Sequence, residues 1–342
     1  VNKNALVVGG GIAGMIAAHS IAEQGHVVYL IEKEKELGGI ARRLHYTLEN
    51  LDVQAYLKNL VREIYQHPLI YVYTEATIEE VSGYVGNFVT RVQTSGGDVE
   101  IKHGVAVIAT GVEVSEPTEY LYGENERVMT HLDLEEKIAE GDERITEAQS
   151  IVMIQCVGCR NEDRNYCSRI CCNESIKNAL KLREINPDMD IYIIFRDIRT
   201  YGLNEDYYRE AAGKDIKFIR YEPEHKPEVE AVEEDGREFL RVTVPDYVLG
   251  MKLELDADIV TLAAAVIPCK DAHELAGFFK VGLNPDGFFK EAHAKLRPVD
   301  FGTEGTYLCG MAHYPKLISE TINQAYGAAG RVLTLLSHDT VV

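Results

Sequence analysis

The run Gly9-Gly-Gly-Ile-Ala-Gly14 follows a short apolar stretch, Ala5-Leu-Val-Val8, and opens a segment with helical spacing from Ile12 to Gln24. No other feature restricts the fold as much. A glycine turn between a buried strand and a helix is the entry to a βαβ unit with a parallel sheet, and the apolar run Val27 to Ile31 supplies its second strand. Gly9 allows the tight turn, Gly11 lets the backbone approach a pyrophosphate, and Gly14 lets helix and strand pack closely. Ile12 and Ala13 lie in the first helical turn, where free N–H groups and the helix dipole favour phosphate. Glu32 ends the second strand, with Lys33 beside it. A carboxylate there accepts ribose hydroxyls and repels a 2′-phosphate.

The rest of the chain repeats this plan. Leu51 to His67 reads as an amphipathic helix stopped by Pro68, and Ile70 to His103 as short antiparallel strands. Gly104 to Gly111 reads as a buried strand. A second strand–loop–helix–strand unit starts at Ser150, with strands at Ile151–Gln155 and Ile191–Phe195 and a helix from about Cys172 to Glu184. Residues 216–255 read as short strands around a charged, solvated stretch at 222–236, and 258–267 as another buried strand. Thr306 to Gly310 is a strand leading to a long helix, Leu317 to Leu336. The expected fold class is α/β with two Rossmann-like dinucleotide-binding-type domains. Residues 1–128 and 269–342 form the first, and 129–268 are inserted as a degenerate second.

Composition narrows the function. The chain has 342 residues and a formal net charge of −20, which disfavours nucleic acid and anionic lipid as partners. No stretch approaches the roughly 20 apolar residues of a membrane span, and the N-terminus lacks a signal-peptide layout. A cytoplasmic location is expected. The start at Val1 suggests part of a longer polypeptide. Five of the seven cysteines fall between Cys156 and Cys172, a clustering that points to metal or redox chemistry.

An NAD(P)H-dependent reductase would carry a second glycine cradle after Ser150–Gln155. This chain carries Cys156-Val-Gly-Cys159, then Cys167, Cys171 and Cys172, with Gly158 the one glycine left. A [4Fe-4S] cluster needs four soft thiolates converging from such a loop, here 156–172, and Arg160, Arg164 and Arg169 are placed to offset its charge. Structural zinc and a redox dithiol, Cys156 with Cys159, are the alternatives. Cys269 and Cys309 read as core cysteines.

Leu37-Gly38-Gly39, Ala109-Thr110-Gly111 and Thr306-Tyr-Leu-Cys-Gly310 together resemble the flavin-binding half of the pyridine-nucleotide–disulfide oxidoreductase superfamily, with a thioredoxin-reductase-like core. The resemblance implies FAD, with the last helix aimed at the flavin pyrimidine. Met311 stands where many relatives have Asp. His313 and Lys316 are then expected near the flavin ring. At Gln155-Cys-Val-Gly-Cys-Arg160 and Tyr166-Cys-Ser-Arg-Ile-Cys-Cys172 the chain resembles the heterodisulfide reductase A-subunit family, as it does at Arg297-Pro-Val-Asp-Phe301 and Tyr314-Pro-Lys316. That resemblance implies an FAD and iron–sulfur protein working with the other heterodisulfide reductase subunits. Electrons from a hydrogenase or formate dehydrogenase would be split between the CoM-S-S-CoB heterodisulfide of methanogenesis and ferredoxin. Cys156, Cys167, Cys171 and Cys172 map to the family cysteines. Cys159 stands where the family has serine and is a spare ligand at most. Lys177, the first basic residue beyond Cys172, is the candidate to approach the flavin. The cysteines of the family's additional cluster modules are missing. A homodimer, a thioredoxin-reductase-like enzyme using Cys156 and Cys159, and a non-catalytic FAD- and zinc-binding subunit complete the expectations.

Overall fold

The computed structural model describes residues 1–340, which divide into two units. The first comprises Val1–Arg42, Gln54–Glu113 and the chain from Ile267 onward; the second comprises Arg43–Val53 and Val114–Val266.

The first unit is built on a five-stranded sheet in the order Thr306–Leu308, Val105–Ile108, Ala5–Val8, Val28–Ile31, Ile70–Tyr73, with every pairing parallel. The central strand, Ala-Leu-Val-Val, is buried on both faces, as a parallel sheet covered on both sides requires. Helix Ile12–Ala22 packs on one face beside helix Ile318–Leu336, and its alanines and isoleucines are buried almost all round. The other face is covered by the antiparallel strands Thr77–Tyr84, Asn87–Thr94 and Gly97–His103 and by helix Ala272–Phe279.

The second unit repeats the order: Lys217–Arg220, Asp190–Phe195, Ser150–Val157, Ile259–Ala264, Val128–Thr130, again all parallel. Its antiparallel piece is Glu228–Glu234, Arg237–Asp246 and Met251–Ala257. The halves echo one another strand for strand.

Three expectations need correction. Ile70–Tyr73 is not part of the antiparallel set but the parallel edge of the main sheet, paired with Val28–Ile31. A four-residue apolar run carries no record of its partner. The charged stretch 222–236 is not all solvated loop: Glu228–Glu234 is an exposed edge strand, and Asp235-Gly236 makes the two-residue hairpin with both residues at positive φ. The boundary lies at Val114 rather than 129, and the excursion Arg43–Val53 also belongs to the second unit. Polar contacts fix it there. Arg43 pairs with Asp133 at 2.7 Å, the Tyr46 hydroxyl donates to Asn178 Oδ1 at 2.9 Å, and Glu135 accepts from the His45 N–H at 2.5 Å. No helix among the described residues is long and apolar enough to cross a membrane.

Candidate functional site

The glycine turn of the first unit is closed by sterics. A Cβ on Gly14 would stand 1.8 Å from the Gly9 carbonyl oxygen, and one on Gly9 2.3 Å from that of Ala109. Gly10, to which the sequence pattern assigned no role, is equally fixed. Its N–H donates to Glu32 Oε2 at 2.6 Å, and a Cβ would meet Leu37 at 2.5 Å. The signal was present in the uninterrupted Gly9-Gly-Gly11. The second carboxylate oxygen of Glu32 accepts from the Glu34 N–H at 2.8 Å, so the acid is oriented before any ligand arrives. Gly11 has no atom within 4 Å of its Cβ direction, leaving open space where a pyrophosphate is expected. The Gly38 N–H donates to the Gly10 carbonyl, which brings Gly38 and Gly39 against Gly11.

A cavity opens beside this turn, lined by Gly9, Glu32, Lys33, Thr110, Asp271 and Leu275 among others. The Thr110 hydroxyl and Asp271 Oδ1 are buried there without a hydrogen-bond partner. Unmet polar groups on residues that line a cavity fit a polar ligand such as the adenosine half of a dinucleotide. Lys33 is held by Asp271 at 3.2 Å, and the acid raises its pKa against the lowering effect of burial. Asp271, at the start of helix Ala272–Phe279, was missed because that helix was not foreseen. Ala109, Thr110 and Gly111 follow the end of Val105–Ile108, and Gly310 and Met311 follow the end of Thr306–Leu308. The Gly310 N–H donates to Gln324 at 2.9 Å. Gln324 in turn meets His313, whose other nitrogen lies 3.0 Å from Glu291, and Lys316 Nζ lies 3.2 Å from His313 Nδ1. These residues thus converge at the carboxyl ends of parallel strands, where open α/β sheets bind ligands.

In the second unit the five clustered cysteines line one recess at the end of Ser150–Val157, with Gln155, Arg160, Arg169, Asp197 and Arg199. The loop is strained: Cys156, Arg160 and Arg169 have φ of 64°, 56° and 59°, a region unfavourable to side-chain-bearing residues that recurs at functional sites. Nitrogen donors surround the sulfurs. The Arg169 N–H donates to Cys167 Sγ at 3.3 Å, and Arg160 Nη1 lies 3.7 Å from Cys156 Sγ. Arg160 also pairs with Asp197, which Arg199 holds at 3.1 Å. Arg199 was not singled out from sequence, whereas Arg164 turns away to the Gly158 carbonyl. Cys156 and Cys159 share a hydrogen bond that pushes the Cys156 thiol up and pulls Cys159 down to about 6, while burial raises Cys172 to about 11. Among the described residues, no three His, Cys, Asp or Glu side chains are arranged to hold a single metal ion. A cuboidal cluster makes a different demand, since its four thiolates bind four different irons and need not meet at one point. Five soft thiols with nitrogen donors around them fit that group. Cys269 and Cys309 are buried, as expected of core cysteines.

Lys177 departs from expectation. It is 7% exposed, and its ammonium donates to the Tyr46 carbonyl at 3.1 Å and to Glu135 at 2.6 Å, with Glu174 at 3.1 Å. Three acceptors take up its three N–H groups, so none is left for the flavin contact expected of it.

A profile described as FAD dependent oxidoreductase matches residues 4–69. The chain is 31% identical to the iron-sulfur A-subunit of the CoB–CoM heterodisulfide reductase of Methanocaldococcus jannaschii, over 97% of this chain and 64% of that protein. It is 30% identical to the A-subunit of the H(2)/formate:CoB-CoM heterodisulfide,ferredoxin reductase of Methanococcus maripaludis, over 98% of this chain and 65% of that protein. It thus spans just under two thirds of the length of these relatives. Among solved structures, the thioredoxin reductase of T. acidophilum superposes with a TM-score of 0.64 at 16% identity, covering 98% of this chain and 97% of the other. That likeness bears on the fold.

Proposed function

The chain is a relative of the heterodisulfide reductase A-subunits, and from that premise we propose that it is an FAD and [4Fe-4S] electron-transfer component of a heterodisulfide reductase-type complex in the cytoplasm. The observation that carries the reading is the recess lined by Cys156, Cys159, Cys167, Cys171 and Cys172 in the second βα turn, where a pyridine-nucleotide enzyme would keep its glycine cradle. Cys156, Cys167, Cys171 and Cys172 are the proposed ligands, with Cys159 as the alternative. FAD would lie on the first unit. There Gly11 would leave room for its pyrophosphate on a turn closed by Gly9 and Gly14, and Glu32 and Thr110 would hold its ribose end. Gly38, Gly39, Gly111, Gly310, Met311 and Lys316 would line the remainder. The two groups together supply conversion between electron pairs and single electrons.

The chain's own residues prepare the sites. Glu32, oriented by two backbone N–H groups, keeps both oxygens in position for hydroxyl donors. Arg160, Arg169 and Arg199 place positive charge around the thiols, favouring the thiolate form that ligation requires. Proposed partners are the other heterodisulfide reductase subunits, an electron-input hydrogenase or formate dehydrogenase, and ferredoxin, with bifurcation between heterodisulfide and ferredoxin as the overall task. One relative's name, H(2)/formate:CoB-CoM heterodisulfide,ferredoxin reductase, supports those partners.

A second reading has one observation in its favour: the hydrogen-bonded Cys156–Cys159 pair with a lowered thiol resembles a redox dithiol. Against it, Cys159 is only 3% exposed, and an attacking thiol needs access. Absorption and metal analysis of protein purified without oxygen separates the two. Flavin bands with a broad shoulder near 400 nm and iron support the first; flavin with an NADPH-reducible disulfide and no metal supports the second.

A further inference from the structure

A chain of polar groups follows strand Thr306–Leu308. The Gly310 N–H donates to Gln324 Oε1 at 2.9 Å, and Gln324 Nε2 lies 2.9 Å from His313 Nδ1. Lys316 Nζ lies 3.2 Å from the same Nδ1 and donates to the Tyr314 carbonyl at 3.2 Å. Through its other nitrogen, Nε2, the ring meets Glu291 Oε2 at 3.0 Å. The chain of contacts stands beside the glycine turn, since a methyl group on Gly310 would lie 2.6 Å from Cβ of Ala13, in the first turn of helix Ile12–Ala22.

The proton positions follow from which groups can only donate. A backbone N–H cannot accept, so the Gln324 atom against Gly310 is its oxygen, and the amide cannot be turned over. Its nitrogen therefore donates to the ring. An ammonium likewise only donates. Two donors converge on His313 Nδ1, which must accept, and the single ring proton sits on Nε2 and is given to Glu291. A second proton could enter only at Nδ1, against Lys316 and the Gln324 NH2 group. Burial and the Lys316 charge oppose that proton, while Glu291 favours it. Of the other titratable groups around the chain, Lys290 acts on Glu291, the Cys309 thiol is raised by burial and pulled down by Lys316, and Glu320 accepts from the Leu317 N–H at 2.9 Å.

We propose that His313 is a redox-linked proton site beside the flavin, where a proton and the Lys316 ammonium compete for one lone pair. This rests on the reading of the first unit as the FAD site. With the flavin oxidised, Lys316 occupies Nδ1. An electron pair delivered by the donor of the complex adds negative charge, Lys316 is drawn toward it, and a proton from solvent takes its place on Nδ1. The imidazolium then pairs with Glu291. The new N–H is the one bond made, and none within the chain is broken. By linkage the proton favours the reduced state as much as reduction favours the proton. His313 is a positioning residue that acts through Lys316.

The test uses the full chain purified without oxygen, with flavin content and the two-electron flavin midpoint potential measured across pH. Between the proton affinities of the oxidised and reduced states, one extra proton per electron pair should steepen the potential by about 30 mV per pH unit, the tenfold step of a two-electron couple. His313→Gln keeps an acceptor for Lys316 and a donor for Glu291 but takes up no proton. It should retain flavin and lose the extra slope. Lys316→Met removes the competitor and should raise the proton affinity of the oxidised state about tenfold, narrowing the steep range. Equal slopes in the parent and in flavin-loaded His313→Gln overturn the inference alone. A parent chain without flavin overturns the FAD reading and the inference with it. Nitrogen NMR of the parent chain labelled at histidine covers the case in which His313→Gln loses its flavin. The account requires the Nε2–H tautomer at His313 and a higher pKa once the flavin is reduced; an Nδ1–H tautomer or an unmoved pKa overturns it.

Discussion

Gly14 and Gly9 face each other across the first turn so closely that a methyl group on Gly14 would stand 1.8 Å from the Gly9 carbonyl oxygen, an approach that only a glycine at position 14 allows. The third glycine of the motif is different, since Gly11 faces open space. The motif therefore divides into residues that serve the protein and one that serves a ligand. Gly14→Ala should destabilise the chain by about 3 kcal/mol or more, because the opposing atom is backbone and cannot move aside. Gly11→Asp should contain no flavin and yet fold with the Tm of the parent stripped of its flavin, since bound ligand itself raises the Tm. Thermal unfolding and flavin content of both variants check this; full flavin occupancy in Gly11→Asp would sink the assignment.

Lys177 and Glu135 form a buried pair, with the carboxylate fully enclosed. Replacing one partner strands the other charge, so Lys177→Met should lower stability by about 3–5 kcal/mol. Lys177→Met combined with Glu135→Gln should recover much of that. Denaturant unfolding reads the difference. A Lys177→Met variant as stable as the parent would show that the pair has no structural role.

His103 is buried with Thr90 and the Val105 carbonyl as its partners, and burial lowers its pKa to about 4. An unfolded histidine titrates near 6.5, so between these values the unfolded chain binds more protons than the folded one. The neutral ring's contribution is complete above about pH 6.5 and is lost as pH falls through about 4. The loss is about 3 kcal/mol, from the size of the shift. Unfolding free energy measured from pH 7 to pH 4 should therefore fall, and a His103→Gln variant should show a shallower slope. Equal slopes would contradict the burial argument.

The legible and the illegible parts of this chain differ by distance along it. Gly9 to Glu32 could be read because turn, helix and acid lie within one short unit. The cysteine loop could be read because its residues are neighbours. Lys177 was misjudged because its acceptors, Glu135 and Tyr46, lie 42 and 131 positions away. Ile70–Tyr73 was assigned to the wrong sheet for the same reason: strand partners are set by tertiary packing. Asp271 and Arg199 reach their sites from elements or loops with no local signature. The hairpin at Asp235-Gly236 was legible and overlooked, because the surrounding glutamates read as solvated loop.

The second unit keeps the strand order of a nucleotide-binding domain but puts cysteines, Arg160 and Arg169 where its phosphate-binding glycines would stand. The protein should therefore not oxidise NADH or NADPH at a useful rate. Stopped-flow mixing with NADPH should leave the flavin absorbance unchanged over seconds, whereas rapid bleaching would revive the reductase reading.

The central claim, that Cys156, Cys167, Cys171 and Cys172 hold an iron–sulfur cluster, is tested most directly by metal and sulfide analysis of chain purified without oxygen. The account predicts about four iron and four sulfide per chain alongside FAD. It also predicts loss of that iron when any one of these four cysteines is changed to serine, and its retention in Cys159→Ser. Zinc in place of iron, or iron content unmoved by Cys156→Ser, Cys167→Ser, Cys171→Ser and Cys172→Ser, would contradict it.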